Sequence, residues 1–128
     1  MNWSLLAVVM AGGALGAAGR HLVGGWMLRH AGDGLPWGTL AVNLFGSFAA
    51  GLLFAWLEGR GPSALYWRAF LLVGVLGALT TYSALMLELL MFGRSGRTGA
   101  MLAYLALSLV SGFVLVWLGA RLGGWLRG

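Results

Sequence analysis

The chain has no cysteine, no lysine, two prolines and three acidic residues, Asp33, Glu58 and Glu88. Without cysteine there is no disulfide and no thiolate metal site, and so no clue to redox compartment. The two histidines, His21 and His30, have no carboxylate at ligand spacing, which leaves no metal motif, and His30 is expected at the membrane interface. Two peripheral histidines and three acids cannot assemble a nucleophile, a base and an orienting acid, so an enzyme has the least support. No basic residue precedes Trp3, and the apolar run after it outlasts a signal-peptide core, so this segment is expected to stay as a helix. Charged residues make up 9% of the chain, against about a quarter in soluble domains. With 60% hydrophobic residues and a mean hydropathy of +0.89, the composition excludes an ordinary soluble domain.

What is present is long apolar sequence. Uncharged stretches run from Asn2 to Gly19, Gly34 to Leu57, Ala69 to Leu87 and Thr98 to Ala120, and a membrane span needs about 20 such residues. The expected fold is an all-α membrane protein, one transmembrane domain over 1–128 with helices at about 3–28, 37–57, 68–92 and 98–122. Only short connections remain, so any function lies within the bilayer.

The net charge of +5 comes from eight arginines. In a soluble protein it would suggest nucleic acid, but here the distribution matters more, and no nucleic-acid partner is expected. Four crossings place Arg60, Arg68, Arg121 and Arg127 on one side and Arg29, Arg94 and Arg97 on the other, with Arg20 inside the first span. Orientation follows such bias, and four against three is almost none. Two outcomes stand: insertion in both orientations, which permits an antiparallel homodimer, or a single orientation fixed by Arg20 or one loop.

Polar residues sit within the spans, where each costs free energy unless the protein satisfies it, so each is a candidate functional residue. Gly12, Gly16 and Arg20 share a face of the first helix at i, i+4, i+8. The glycines read as a close-packing device, and Arg20 as either a snorkelling residue at the interface or the wall of a wet vestibule. Thr39, Asn43 and Ser47 repeat the spacing on the second helix. The Asn43 amide can hold helices together, or its N–H donors can replace water around a dehydrated anion. In the third helix, Gly74, Gly77 and the run Thr80, Thr81, Tyr82, Ser83 predict a break near its middle, with freed carbonyls able to bind a cation. Glu88 follows on the Thr81 face, as an interfacial acid or a buried acceptor. Tyr104, Ser108 and Ser111 line the fourth helix, where serine hydroxyls also bond the carbonyl four residues back.

Three segments, Gly12–Arg20, Trp37–Ser47 and Gly74–Ser83, together resemble the CrcB/Fluc fluoride channels over essentially the whole chain. The resemblance implies passive export of fluoride through two pores of an antiparallel, dual-topology homodimer in a bacterial-type inner membrane, surrounded by lipid. It also implies a structural sodium ion at the dimer centre, bound by the backbone carbonyls of Gly77 and Thr80 from both subunits. Asn43 matches the family's pore asparagine, Arg20 its first-helix arginine, and Glu88, Tyr104 and Ser108 its polar track, with Thr81 and Ser83 beside the pore. Tyr82 and Leu85 stand where the family usually has two phenylalanines. Tyr82 keeps an aromatic edge and a hydroxyl, whereas Leu85, if it lines the pore, supplies a dry wall.

Two other functions fit a small four-helix membrane protein. Proton-coupled exporters of cationic compounds carry a membrane-embedded glutamate in the first helix, where this chain has Arg20. A non-transporting scaffold accounts for the glycines but not for polar stripes on three helices at once.

Overall fold

The computed structural model describes all residues 1–128, and six helices and a π-helical segment make four crossings. Helix α1 (Trp3–Ala31) starts where the Asn2 carboxamide oxygen accepts the Leu5 N–H at 3.1 Å, and it stops at Gly32, whose φ of 78° suits glycine alone. Pro36 leads into α2 (Trp37–Trp56). After a turn through Glu58–Pro62, α3 (Ser63–Trp67) passes into the π-helical segment Arg68–Leu76 and then into α4 (Gly77–Leu79). The Gly77 N–H reaches back five residues to the Leu72 carbonyl, the spacing of the wider helix. Helix α5 (Tyr82–Arg94) and α6 (Thr98–Arg127) complete the chain, joined through Gly96 at φ 72°. The third crossing begins at Ser63 rather than near 68, and the fourth runs to Arg127 rather than near 122. Trp67, Arg68, Arg121 and Trp125 extend these ends as residues suited to an interface, so apolar length alone understates the helices. Four helices of this length and hydropathy make a multi-pass membrane protein.

Two glycine seams hold the crossings together. Helix α2 packs chiefly on α6, and α1 on the π segment and α4. A Cβ on Gly51 would overlap the Val116 carbonyl oxygen, and one on Gly119 or Gly123 would overlap the carbonyl oxygens of Phe48 or Leu52. On the other seam, a Cβ on Gly12 or Gly16 would overlap the carbonyl oxygens of Phe70 or Val75. Lipid gives no hydrophobic force between helices, so attraction must come from this close backbone approach.

Buried apolar side chains fill the remaining space in two clusters. Leu40, Leu85, Leu89, Phe92 and Tyr104 form one, and Val42, Leu76 and Leu79 the other. At one membrane face, Arg127 pairs with Glu58 at 2.8 Å, tying the end of α6 to that of α2. At the opposite face, Arg97 donates to the Gly34 carbonyl at 2.9 Å and lies 4.8 Å over the Phe92 ring, tying two loops together.

Candidate functional site

The site begins at two residues with extended backbone, Thr80 (φ −82°, ψ 154°) and Thr81 (φ −151°, ψ 115°), between α4 and α5. An α-helix would send the Thr81 N–H to the Gly77 carbonyl and the Ala84 N–H to the Thr80 carbonyl. Both donors go elsewhere. The Thr81 N–H donates to Asn43 Oδ1 at 2.7 Å, and the Ala84 N–H donates to Thr81 Oγ1 at 3.2 Å, which caps α5. The Asn43 Nδ2 returns a bond to the Thr81 carbonyl at 3.2 Å, so one amide satisfies both backbone groups of Thr81. An asparagine amide has two N–H donors, and this arrangement uses one. Thr80 stays on α4, its N–H and hydroxyl both donating to the Leu76 carbonyl. Its methyl lies against Gly46, where a Cβ would overlap it.

These residues border an open cleft of about 380 Å³ whose walls include Asn43, Ser47, Gly77, Thr80, Thr81 and Tyr82. Ser47 donates to the Asn43 carbonyl at 2.7 Å, leaving the asparagine side chain to Thr81. Leu85 touches the cleft but is 5% exposed and packs with Leu40 and Tyr104, so it is first of all a core residue and not a free pore wall. Tyr82, three residues earlier on the same side of the helix, is 73% exposed, so packing by the neighbouring helices and not helical periodicity separates the two.

A second polar cluster lies toward the Arg97 end. The Thr39 hydroxyl donates to one oxygen of Glu88, and the Tyr104 hydroxyl donates to the other at 2.7 Å. A carboxyl group at membrane depth needs both oxygens partnered, and α2 and α6 each supply one hydroxyl. Tyr104 is 1% exposed, its ring edge-on to Phe92 at 5.9 Å. Ser108 Oγ, one turn along α6, is buried with no hydrogen-bond partner. Thr39 and Glu88 open onto a cavity of about 470 Å³ that also reaches Asp33 and Arg97.

The structure therefore gathers Asn43, Thr80, Thr81, Tyr82, Ser83 and Gly77 in one place and Glu88, Tyr104 and Ser108 in another. Ser83 Oγ lies 3.3 Å from Thr81 Oγ1. Arg20 is exposed on α1 and borders neither cavity. Thr39 is the partner that sequence reading placed in a stripe without a role, and the i, i+4 spacing to Asn43 was the available signal. Arg97 gave no signal, because its partner is a backbone carbonyl remote in sequence.

Comparison with known proteins agrees along nearly the full length. The family described as "CrcB-like protein, Camphor Resistance (CrcB)" matches residues 7–120. A Xanthomonas euvesicatoria protein named fluoride-specific ion channel FluC is 51% identical over 124 residues, covering 97% of this chain and 93% of its own. Proteins of the same name from Xylella fastidiosa strain 9a5c and Thermus thermophilus are 49% and 45% identical, covering 97% and 94% of this chain and 87% and 94% of their own. With its four crossings and a match across residues 7–120, the chain belongs to the CrcB family.

Proposed function

We propose that this protein is a passive fluoride channel of the bacterial inner membrane, working as an antiparallel homodimer with two pores and a structural sodium ion at its centre. The observation that carries the reading is identity of about half over 97% of the chain with proteins named fluoride-specific ion channels. Fluoride holds its water tightly, so its passage needs donors that replace the hydration shell without trapping the ion. Asn43 offers its remaining N–H in the cleft, Thr81 and Ser83 offer hydroxyls, and Tyr82 offers a ring edge or its O–H. Glu88, Tyr104 and Ser108 make a second polar wall between α5 and α6. Arg20 is read as a vestibular residue that draws anions toward the protein.

A second copy of the chain is supported by what the protomer leaves on its surface. Gly77, Tyr82 and Ser83 are exposed at membrane depth, where lipid cannot satisfy backbone carbonyls or hydroxyls. Carbonyl oxygens are the right ligands for a small hard cation, and the helical donors to Gly77 and Thr80, the Thr81 and Ala84 N–H groups, bond elsewhere. Those residues fit a sodium ion shared by two subunits. The function is conduction, and no residue is assigned a catalytic role.

Fluoride efflux from liposomes holding the purified protein, with chloride as control, tests the reading. A fluoride-selective leak that Asn43→Asp abolishes is the expected result. No leak from well-folded protein would overturn it.

A further inference from the structure

We propose that Asn43 keeps the Gly77 carbonyl open to a cation by holding the Thr81 N–H, which makes it a positioning residue for the cation as well as a wall of the cleft. The inference rests on the sodium reading above and deepens it. Gly77 and Thr81 are four residues apart, so the Thr81 N–H is the donor that would close the helix onto the Gly77 oxygen. Asn43 Oδ1 accepts a hydrogen bond from that N–H at 2.7 Å, and its Nδ2 donates to the Thr81 carbonyl at 3.2 Å, a two-point grip on an extended residue. The Thr81 hydroxyl does the same for the Thr80 carbonyl, accepting from the Ala84 N–H that a continuous helix would send there. Gly46 leaves room for Thr80 to lie against α2 while this happens.

The argument separates two properties of one side chain. The acceptor Oδ1 frees a carbonyl for the cation, and one Nδ2–H stays unused on a residue that lines the cleft. Alanine removes both. Aspartate keeps an oxygen that can hold the Thr81 N–H but sets its other oxygen against the Thr81 carbonyl, where Nδ2 donates at 3.2 Å.

Two measurements test this. In wild-type protein labelled with nitrogen-15 at asparagine and threonine, Thr81 should exchange its amide proton slowly. One Asn43 side-chain proton should exchange more slowly than those of exposed Asn2, the other asparagine of the chain. Thr81 exchanging at the rate of an unprotected amide overturns the proposal without any variant. The second measurement is the sodium concentration that half-maximally raises the unfolding temperature, since a ligand of the folded state stabilises it by mass action. It should rise about tenfold in Asn43→Ala, the loss expected for one hydrogen bond, and by less in Asn43→Asp, which keeps the acceptor. Wild-type dependence on sodium that Asn43→Ala leaves unshifted, or that both variants lose equally, overturns the proposal and leaves the cation reading standing. Unfolding of wild type that ignores sodium overturns both.

Discussion

Along α1 and the π segment the two backbones meet with no side chain between them, whereas at Thr80 and Thr81 the backbone leaves the helix, Asn43 of α2 holds Thr81, and the Thr81 hydroxyl caps α5. The first region keeps its backbone helical and gains from proximity. The second gives up helical bonds and replaces them with an amide and a hydroxyl. The difference teaches where a membrane protein can be polar: irregular backbone survives at depth only where protein groups take over its hydrogen bonds. The Glu88 cluster is a third variant, in which helical backbone stays regular and only a side chain needs partners.

The sharpest way to break the contrast is on the glycine seam. Gly16→Leu places a side chain into the Val75 carbonyl, backbone that cannot step aside, and should cost about 3 kcal/mol or prevent folding. Gly13→Ala, on the same helix with nothing within 4 Å of its Cβ direction, should leave the thermal unfolding temperature in detergent unchanged or slightly raised. Equal behaviour of the two variants would end the claim that close approach is local.

Leu85→Phe asks whether that position belongs to the core or to the cleft. As a residue packed against Leu40 and Tyr104, it should lose about 1–3 kcal/mol by overpacking. Unchanged stability with faster fluoride efflux would place it on the pore wall after all. Tyr104→Phe leaves one oxygen of Glu88 without its hydroxyl and should cost about 1–2 kcal/mol. A double-mutant cycle with Thr39→Val, read by thermal unfolding, should show coupling through the shared carboxyl group. The smallest effect is expected of Ser108→Ala. Its Oγ has no partner to lose, so stability should shift by no more than about 0.5 kcal/mol. Lower fluoride efflux at unchanged stability would show that this hydroxyl serves the ion.

Hydropathy and the charge-free runs were enough to give four crossings, because the thickness of a bilayer sets helix length independently of any neighbour. The spacing of Gly12 and Gly16, and of Thr39, Asn43 and Ser47, likewise named faces, since 3.6 residues per turn fixes which side chains align. What those faces meet was not legible. Asn43 reads equally well as helix glue or as an anion donor, and in the structure its amide grips backbone while one N–H stays unspent. Tyr82 and Leu85 both stand where the family usually has a phenylalanine, yet Leu85 is buried and Tyr82 exposed. The helix ends at Ser63 and Arg127 were hidden because interfacial arginine and tryptophan carry helices past the apolar run.

The sequence by itself determined the solvent this protein lives in and the number of crossings, because transfer from water to lipid depends on the composition and length of each segment. Only the tertiary structure decided that the Thr81 N–H turns to Asn43 and that Glu88 divides its oxygens between Thr39 and Tyr104. Those bonds join residues far apart in the chain, and their geometry exists only once the glycine seams have brought the helices into contact.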